Sequence, residues 1–316
     1  MIAMSLRNLG RTGIRVTELC FGTSPLANIP GLYGYDVAED RAVATVRAAL
    51  DSPVRFLDTS NGYGRDGESE LRIGAALREA GGLPDDYVLA TKVDPRHGFS
   101  DFSGTRVYDS FQESLDRLGL DRVPLLHLHD PERIGFAASM APGGPVEALR
   151  ALKDSGRVDA IGVAGGTLSV MRELVATEVF DVALTHNRYT LLDRSADDLI
   201  DTATALGMGV LNAAPYGGGM LAKGPANISR YAYGERGDAQ SAAMRMQEAC
   251  ERHGVPLAAA ALQFSLRDRR VTSTVVGVSS PERIAQTLAL AEHDIPDELW
   301  AELEELTPPR SEWIDD

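Results

Sequence analysis

Short apolar runs bounded by turn residues recur along the chain: ELCFGT (18–23), VRFLDT (54–59), YVLATK (87–92), PLLHLHD (124–130), DAIGVA (159–164), DVALTH (181–186), GVLNAA (209–214) and STVVGV (273–278). Each has strand length and a continuously apolar character, which is the pattern of a strand buried on both faces. The stretches between them carry a helical period instead. Val43, Val46 and Leu50 fall on one face, as do Val107, Phe111, Leu115 and Leu118. Helix starts are marked by Ser280 ahead of Pro281 and Glu282, and by Ser195 ahead of Asp197 and Asp198, each reading as a hydroxyl N-cap before first-turn acids.

Apolar strands alternating with amphipathic helices predict a parallel sheet covered by helices, and eight such units close into an α/β (β/α)8 TIM barrel. The alternative is an open doubly wound sheet. It is disfavoured because FGTSPL is followed by ANIPGLYG, whose glycines do not make the G-x-G-x-x-G of a dinucleotide-binding turn. The opening segment LRNLGRTGIRV (6–16) predicts a β-hairpin around Gly10 and Gly13, placed to plug the N-terminal end of the barrel. The longest gap between strands, Pro215 to Val271, opens with PYGGGML, crosses an irregular polar stretch and then holds two helices. No repeat, low-complexity tract or linker interrupts the pattern, so one domain over residues 1–316 is expected.

Composition narrows the function classes. A formal charge of −15 argues against nucleic acid and anionic lipid as partners, since both demand clustered Lys and Arg. The two cysteines, Cys20 and Cys250, stand in no C-x-x-C or metal-like spacing and read as reduced, packed thiols. No window approaches the ~20 apolar residues of a membrane helix, and no signal-peptide pattern opens the chain, so the cytoplasm is the expected location.

In a barrel of this kind the C-terminal ends of the strands form the active face. Asp58 ends the second run, Tyr63 lies in the loop after it, Lys92 ends the third and His129 ends the fourth. A carboxylate, a phenol, an ammonium and an imidazole are what reversible hydride transfer to a carbonyl asks of a protein. The developing alkoxide must receive a proton, and a phenol with a pKa near ~10 needs help to exchange one at neutral pH. Lys92 would favour the phenolate of Tyr63, Asp58 would hold the lysine charged, and His129 would hydrogen-bond the substrate oxygen.

Singly, these residues have ordinary readings: Asp58 as a helix cap, Tyr63 as a loop aromatic, Lys92 as a snorkelling strand end. His127, His129 and Asp130 also compose a competing metal site, the two histidines facing one side by strand alternation. That reading is set aside because His97, His186, His253 and His293 supply no second ligand cluster, and because a metal leaves Tyr63 and Lys92 without a role. No metal is expected.

With these residues in place, the chain resembles the aldo-keto reductase superfamily nearly end to end. The resemblance rests on VRFLDTSNGYG (54–64), LATK (89–92) and LLHLHD (125–130), with the family's separations between Asp58, Tyr63, Lys92 and His129, and on SELRIGAAL (69–77) and the opening hairpin. It implies a barrel oxidoreductase using NAD or NADP on a small carbonyl or sugar, with those four residues as the catalytic tetrad. The wording NRYTLLD, HDPE and NAAPYGGGML is similar to the subgroup of aldose 1-dehydrogenases and pyridoxal dehydrogenase, which oxidise a cyclic hemiacetal to a lactone.

The same resemblance implies cofactor contacts at Gly22, Thr23, Asn187, Ala213, Pro215, Gly217, Gly218, Gly219, Leu221, Gly277, Ser279, Arg283 and Gln286. Several positions depart from the family. Ala164 and Gly165 replace a Ser-Asn pair that grips the nicotinamide amide, leaving Asn187 to supply a donor and an acceptor. Ala213 replaces a ring-stacking tyrosine, and Gly277 and Val278 replace a Lys-Ser pair at the adenosine end, where Arg283 is kept. Without that lysine, NAD becomes a credible cofactor beside NADP. Gly217 to Gly219 read equally as a pyrophosphate cradle and as a plain turn. Tyr33, Phe99, Tyr231 and Tyr233, in three loops of variable kind, are the candidate substrate walls. Two other functions stay open: an NADPH-dependent reductase of small aldehydes and ketones, and a nicotinamide-binding subunit without catalysis.

Overall fold

The computed structural model describes residues 4–96, 98 and 101–314. The chain opens with an antiparallel hairpin, β1 (Leu6–Asn8) and β2 (Arg15–Thr17), followed by β3 (Leu19–Gly22), β4 (Phe56–Asp58), β5 (Val88–Val93), β6 (Leu125–His129), β7 (Ala160–Gly165), β8 (Val182–His186) and β9 (Gly209–Ala213). A small ribbon, β10 (Arg230–Tyr231) with β11 (Gly234–Glu235), precedes the last strand, β12 (Ser273–Gly277). Strands β3 to β9 and β12 pair in parallel as a closed barrel, with β12 joining β3 to β9. Each of the eight apolar runs supplies one barrel strand.

Strand alternation sorts the side chains into two cores. Leu19, Phe21, Leu57, Leu89, Val93, Leu126, Leu128, Ile161 and Val163 pack outward against the helices. There they meet Val43, Val46 and Leu50 of helix Glu39–Leu50, and Val107, Phe111, Leu115 and Leu118 of helix Gly104–Leu118. Burying each such side chain contributes roughly 1.5–3 kcal/mol, which is what selects the helical period over the loops. Cys20, Phe56, Val88, Ala90, Leu125, Ala160, Val182, Leu184, Leu211 and Val275 fill the lumen, with Leu9 and Val16 entering from the hairpin. The lumen positions continue upward through Asp58, Lys92, His127 and His129, so alternation alone carries these polar groups to the barrel mouth.

Helix Gly104–Leu118 shows the punctuation working as chemistry predicts. Ser103 caps its start by accepting from Arg106 N, and Gly119, at φ 69°, ends it. Elsewhere the caps differ from expectation. Helix Asp197–Ala205 is preceded by Ala196, while Ser195 Oγ donates to Asp193 Oδ1 at 2.6 Å, a local bond that outcompetes capping. Ser280 does stand before helix Pro281–Ala291, but its hydroxyl makes no cap bond and its carbonyl accepts from Arg283 N.

The hairpin closes the floor of the barrel. Gly10, at φ 55°, lies against the backbone of Gly207 to Gly209, where a Cβ would overlap. Arg11 N donates to Gly207 O at 2.9 Å, and its guanidinium donates to Leu206 O and Glu178 O. Arg7 donates to Val271 O at 2.6 Å and to Leu266 O at 2.9 Å. Among the described residues no helix is long and apolar enough to cross a membrane. Cys20 and Cys250 are both buried and unpaired.

Candidate active site

The four tetrad residues meet at the C-terminal ends of β4, β5 and β6. Lys92 Nζ donates to Asp58 Oδ1 at 2.6 Å, to Thr59 O at 2.6 Å and to Tyr63 Oη at 3.1 Å. Lys92 and Asp58 are buried, and the second oxygen of Asp58 has no hydrogen-bond partner. The Tyr63 ring stands edge-on to His129 at 5.6 Å between centroids. A proton can therefore pass at Tyr63 Oη, with the ammonium on one side and the imidazole on the other.

Electrostatics pull two ways on Tyr63. Burial, reinforced by the Asp58 charge and by Tyr33, Asp130 and Asp94, pushes the Tyr63 phenol well above its ordinary range. Lys92, 3.1 Å from the hydroxyl, is the group placed to favour the phenolate, and burial acts against it. Asp58 is itself raised by burial, against the pull of Lys92.

Sequence reasoning missed Asp94. This carboxylate, 1% exposed, accepts from Gly62 N at 2.8 Å and from the Ser60 hydroxyl, and lies 2.7 Å from His129 Nδ1. Burial raises its pKa, but His129, Ser60 and Gly62 outweigh that and hold it at about 2. For His129, burial lowers the pKa, and Asp130 and Asp94 reverse the sign and raise it above the usual value. The signal was present in Lys92-Val93-Asp94, because two residues beyond the lysine is again an inward position.

His127, expected in the competing metal site, sits below the mouth, fully buried, with neither ring nitrogen bonded. Burial and Lys92 push its pKa well down, so it is a neutral ring, and Gly162 leaves the space it occupies. Among the described residues no group of three or more His, Cys, Asp and Glu side chains is arranged to hold a metal ion.

For a nicotinamide cofactor the residues fit. Asn187, at φ 60° just past β8, has a buried Oδ1 without a partner, the acceptor that a carboxamide NH2 would use, while its Nδ2 lies 3.2 Å from His186 Nδ1. Gly22, Ala164, Ala213 and Gly277, all small, occupy inward positions of β3, β7, β9 and β12. Arg283 and Gln286 share the exposed face of helix Pro281–Ala291, close after Gly277 and Ser279. The buried Tyr216 hydroxyl also lacks a partner and lies within the field of Arg283, a candidate that sequence reading missed.

Other expected cofactor positions are engaged elsewhere. Thr23 is fully buried and donates through both its amide and its hydroxyl to Asp58 O at 3.0 Å, so it braces the tetrad strand. Gly217 N, Gly219 N and Leu221 N already bond Ala214 O, Tyr216 O and Tyr216 O, so those amides are not free to cradle a phosphate. The glycines answer to packing: a Cβ on Gly217 would run into the Tyr231 ring, and one on Gly218 into Ala232. Pro215, beside them, is buried.

Among the expected substrate walls, Tyr33 donates to Ser24 Oγ at 2.6 Å and stacks at a tilt on Tyr35, and Tyr233, 63% exposed, stands edge-on to His186. Tyr231 is not a wall: it is 2% exposed, its hydroxyl bonds Asn187 O at 2.9 Å, and it supports the glycine turn from beneath. Phe99 lies outside the described residues.

A parallel barrel with an Asp-Tyr-Lys-His cluster at its mouth defines a nicotinamide-dependent carbonyl oxidoreductase. Residues 18–308 match the aldo/keto reductase family, and the chain belongs to it. It is 32% identical to pyridoxal 4-dehydrogenase of Microbacterium luteolum, covering 95% of this chain and 97% of that protein. It is 33% identical to D-threo-aldose 1-dehydrogenase of a Pseudomonas species, with 93% and 94% covered, and 36% identical to L-galactose dehydrogenase of Arabidopsis thaliana, with 92% and 88% covered. The holo form of an aldo-keto reductase from Bacillus halodurans superposes with a TM-score of 0.79 over 96% of this chain and 97% of that one; at 22% identity it shares the fold. The protein is an NAD(P)-dependent oxidoreductase acting on carbonyl substrates.

Proposed function

We propose that the protein oxidises the hemiacetal hydroxyl of an aldose, or of a similarly cyclised aldehyde, to the lactone, with Tyr63 as acid-base residue. The observation that carries this is the convergence of Lys92 Nζ on Tyr63 Oη at 3.1 Å and on Asp58 Oδ1 at 2.6 Å. The names of the three relatives, all dehydrogenases of aldehydes or aldoses, supply the direction.

When bound, the nicotinamide supplies the hydride acceptor. As the phenolate, Tyr63 Oη takes the proton of the anomeric hydroxyl, Lys92 stabilises the phenolate before the transfer, and Asp58 keeps the lysine aimed. His129 orients the reacting oxygen through its free ring nitrogen, and Tyr33 and Tyr233 border the sugar. Asn187 Oδ1, Gly22, Ala213 and Gly277 would hold the cofactor, with Arg283 and Gln286 at its adenosine end. Arg283 is the cation retained from the family's pattern there, and without the lysine NAD serves as a credible cofactor beside NADP. Two buried, unpaired thiols fit a reducing cytoplasm.

Absorbance of reduced nicotinamide, followed with NAD or NADP over a panel of aldoses, tests this reading. Turnover of at least one aldose supports it, and silence across the panel with both cofactors overturns it. The burial that raises the Tyr63 pKa favours a second reading, since a phenol is the state that protonates an alkoxide. Under that reading small aldehydes are reduced with NADPH faster than any sugar is oxidised.

A further inference from the structure

We propose that Asp94 is a positioning residue that fixes the tautomer of His129, so that the neutral ring offers Nε2 to substrate as a hydrogen-bond acceptor and only the charged ring offers it as a donor. The inference rests on the proposed function, because it concerns the same substrate oxygen, and it is carried by geometry. Asp94 Oδ2 accepts from Gly62 N at 2.8 Å and from the Ser60 hydroxyl, and with His129 these bonds hold the group ionised. Its Oδ1 lies 2.7 Å from His129 Nδ1, with Ser60 Oγ at 3.0 Å from the same nitrogen. A carboxylate at that distance can only accept, so Nδ1 carries the hydrogen whether the ring is neutral or charged. Nε2 is left for substrate, with Asp130 Oδ1 at 3.7 Å, beyond hydrogen-bond reach.

Asp94 is itself held from below: Ser110 Oγ accepts from its amide at 3.0 Å, and Arg106 Nε donates to its carbonyl at 2.9 Å. The carboxylate thus has little freedom to turn away. The charged and titratable groups facing His129 are Asp94 and Lys92 from β5 and its loop, Tyr63 and Asp58 from β4 and its loop, Asp130 and Arg133 after β6, His127 below and His186 from β8. Asp130 and Asp94 oppose Lys92 in this set, which favours the ring's charge.

The consequence falls on the charge of the ring. A carbonyl oxygen needs Nε2–H, and so does a hemiacetal hydroxyl oxygen whose single hydrogen goes to Tyr63. Asp94 therefore makes the imidazolium the state that holds the reacting oxygen in both directions, and activity falls on the alkaline side as the ring loses its charge.

Nitrogen-15 NMR of the wild-type histidine side chains, titrated across the neutral range with the His129 signal assigned by its substitution, reads the tautomer without any turnover. The expected result is a neutral His129 protonated at Nδ1; a neutral ring protonated at Nε2 overturns the proposal. In Asp94→Asn the amide donates to Nδ1 and the proton moves to Nε2. The neutral ring then offers Nε2–H, so the loss of kcat/KM that the wild type shows on the alkaline side should be relieved in both directions. Asp94→Glu, which keeps a carboxylate at Nδ1, should retain the wild-type loss on the alkaline side. Superposable pH profiles for Asp94→Asn and wild type would equally refute the idea. Should Asp94→Asn not fold, the wild-type tautomer still decides. Inactivity of the wild type on every aldose sinks the proposed function while leaving the tautomer measurement standing.

Discussion

The Asp58–Lys92 pair permits a quantitative test of what holds the site. In Lys92→Met the side-chain volume stays and the ammonium goes. Asp58 Oδ1 then loses its 2.6 Å partner, and Oδ2 has none to begin with. A buried carboxylate stripped of its counter-ion costs about 3–5 kcal/mol. Unfolding entropy for 316 residues converts that to about 1.5 °C per kcal/mol, so the melting temperature should fall by about 5–8 °C. Adding Asp58→Asn removes the orphaned charge and should restore more than half of the loss, since two neutral groups of the same shape carry no comparable desolvation penalty. Hydride transfer stays abolished in both variants. The pH dependence gives an independent check. Burial already raises the Asp58 pKa with lysine present, and without it the folded state binds the proton more tightly still. A raised folded pKa means stability that is present at low pH and lost as pH rises through it, so Lys92→Met should approach wild type on acidification. Scanning calorimetry of the wild type, single and double variants from neutral pH to about pH 4 measures all of this. A double variant no more stable than Lys92→Met, or a single variant whose deficit grows in acid, would refute the reasoning.

Three more outcomes follow from named contacts. Tyr63→Phe should keep its melting temperature within about 2 °C, since the hydroxyl's one protein partner retains two others, while oxidation and reduction rates both fall about 10³-fold or more in a coupled nicotinamide assay. The Asp94–His129 pair should stabilise most between about pH 4 and 6.5: Asp94, lowered from 3.8 to about 2, contributes above its unfolded value and loses that contribution as pH falls through 2, and His129, raised, loses its contribution as pH climbs through the folded value. The drop at Asp94 is worth a few kcal/mol at most, so the difference in unfolding free energy between wild type and Asp94→Asn, by urea titration across pH, should peak in that window. Gly217→Ala should lose about 1–3 kcal/mol in the same titration, because φ is 56° and the new methyl meets the Tyr231 ring.

The barrel strands were legible because a strand covered on both faces is apolar nearly throughout, and the amphipathic helices between them set the runs apart. The tetrad was legible because Asp58, Lys92 and His129 are strand ends, whose direction follows from alternation, and Tyr63 is only five residues beyond Asp58. What stayed hidden depends on distant partners. Tyr231 reads as a loop aromatic until Asn187 and Gly217 are seen around it. Thr23 reads as a mouth residue until its bonds to Asp58 O appear. The charge state of Tyr63 turns on a balance between burial and the ammonium 3.1 Å away, and no spacing rule contains that balance.

The hairpin at the barrel floor has a bearing on biosynthesis. Its arginine at position 7 grips carbonyls at 266 and 271, and β3 next to it closes on β12 at 273–277. A nascent chain emerging from the ribosome must therefore keep residues 6–22 waiting, with Leu9 exposed, until residues 266–277 have been translated. Closure is thus a late, all-or-nothing event, and chaperone dependence during synthesis should concentrate on that earliest segment.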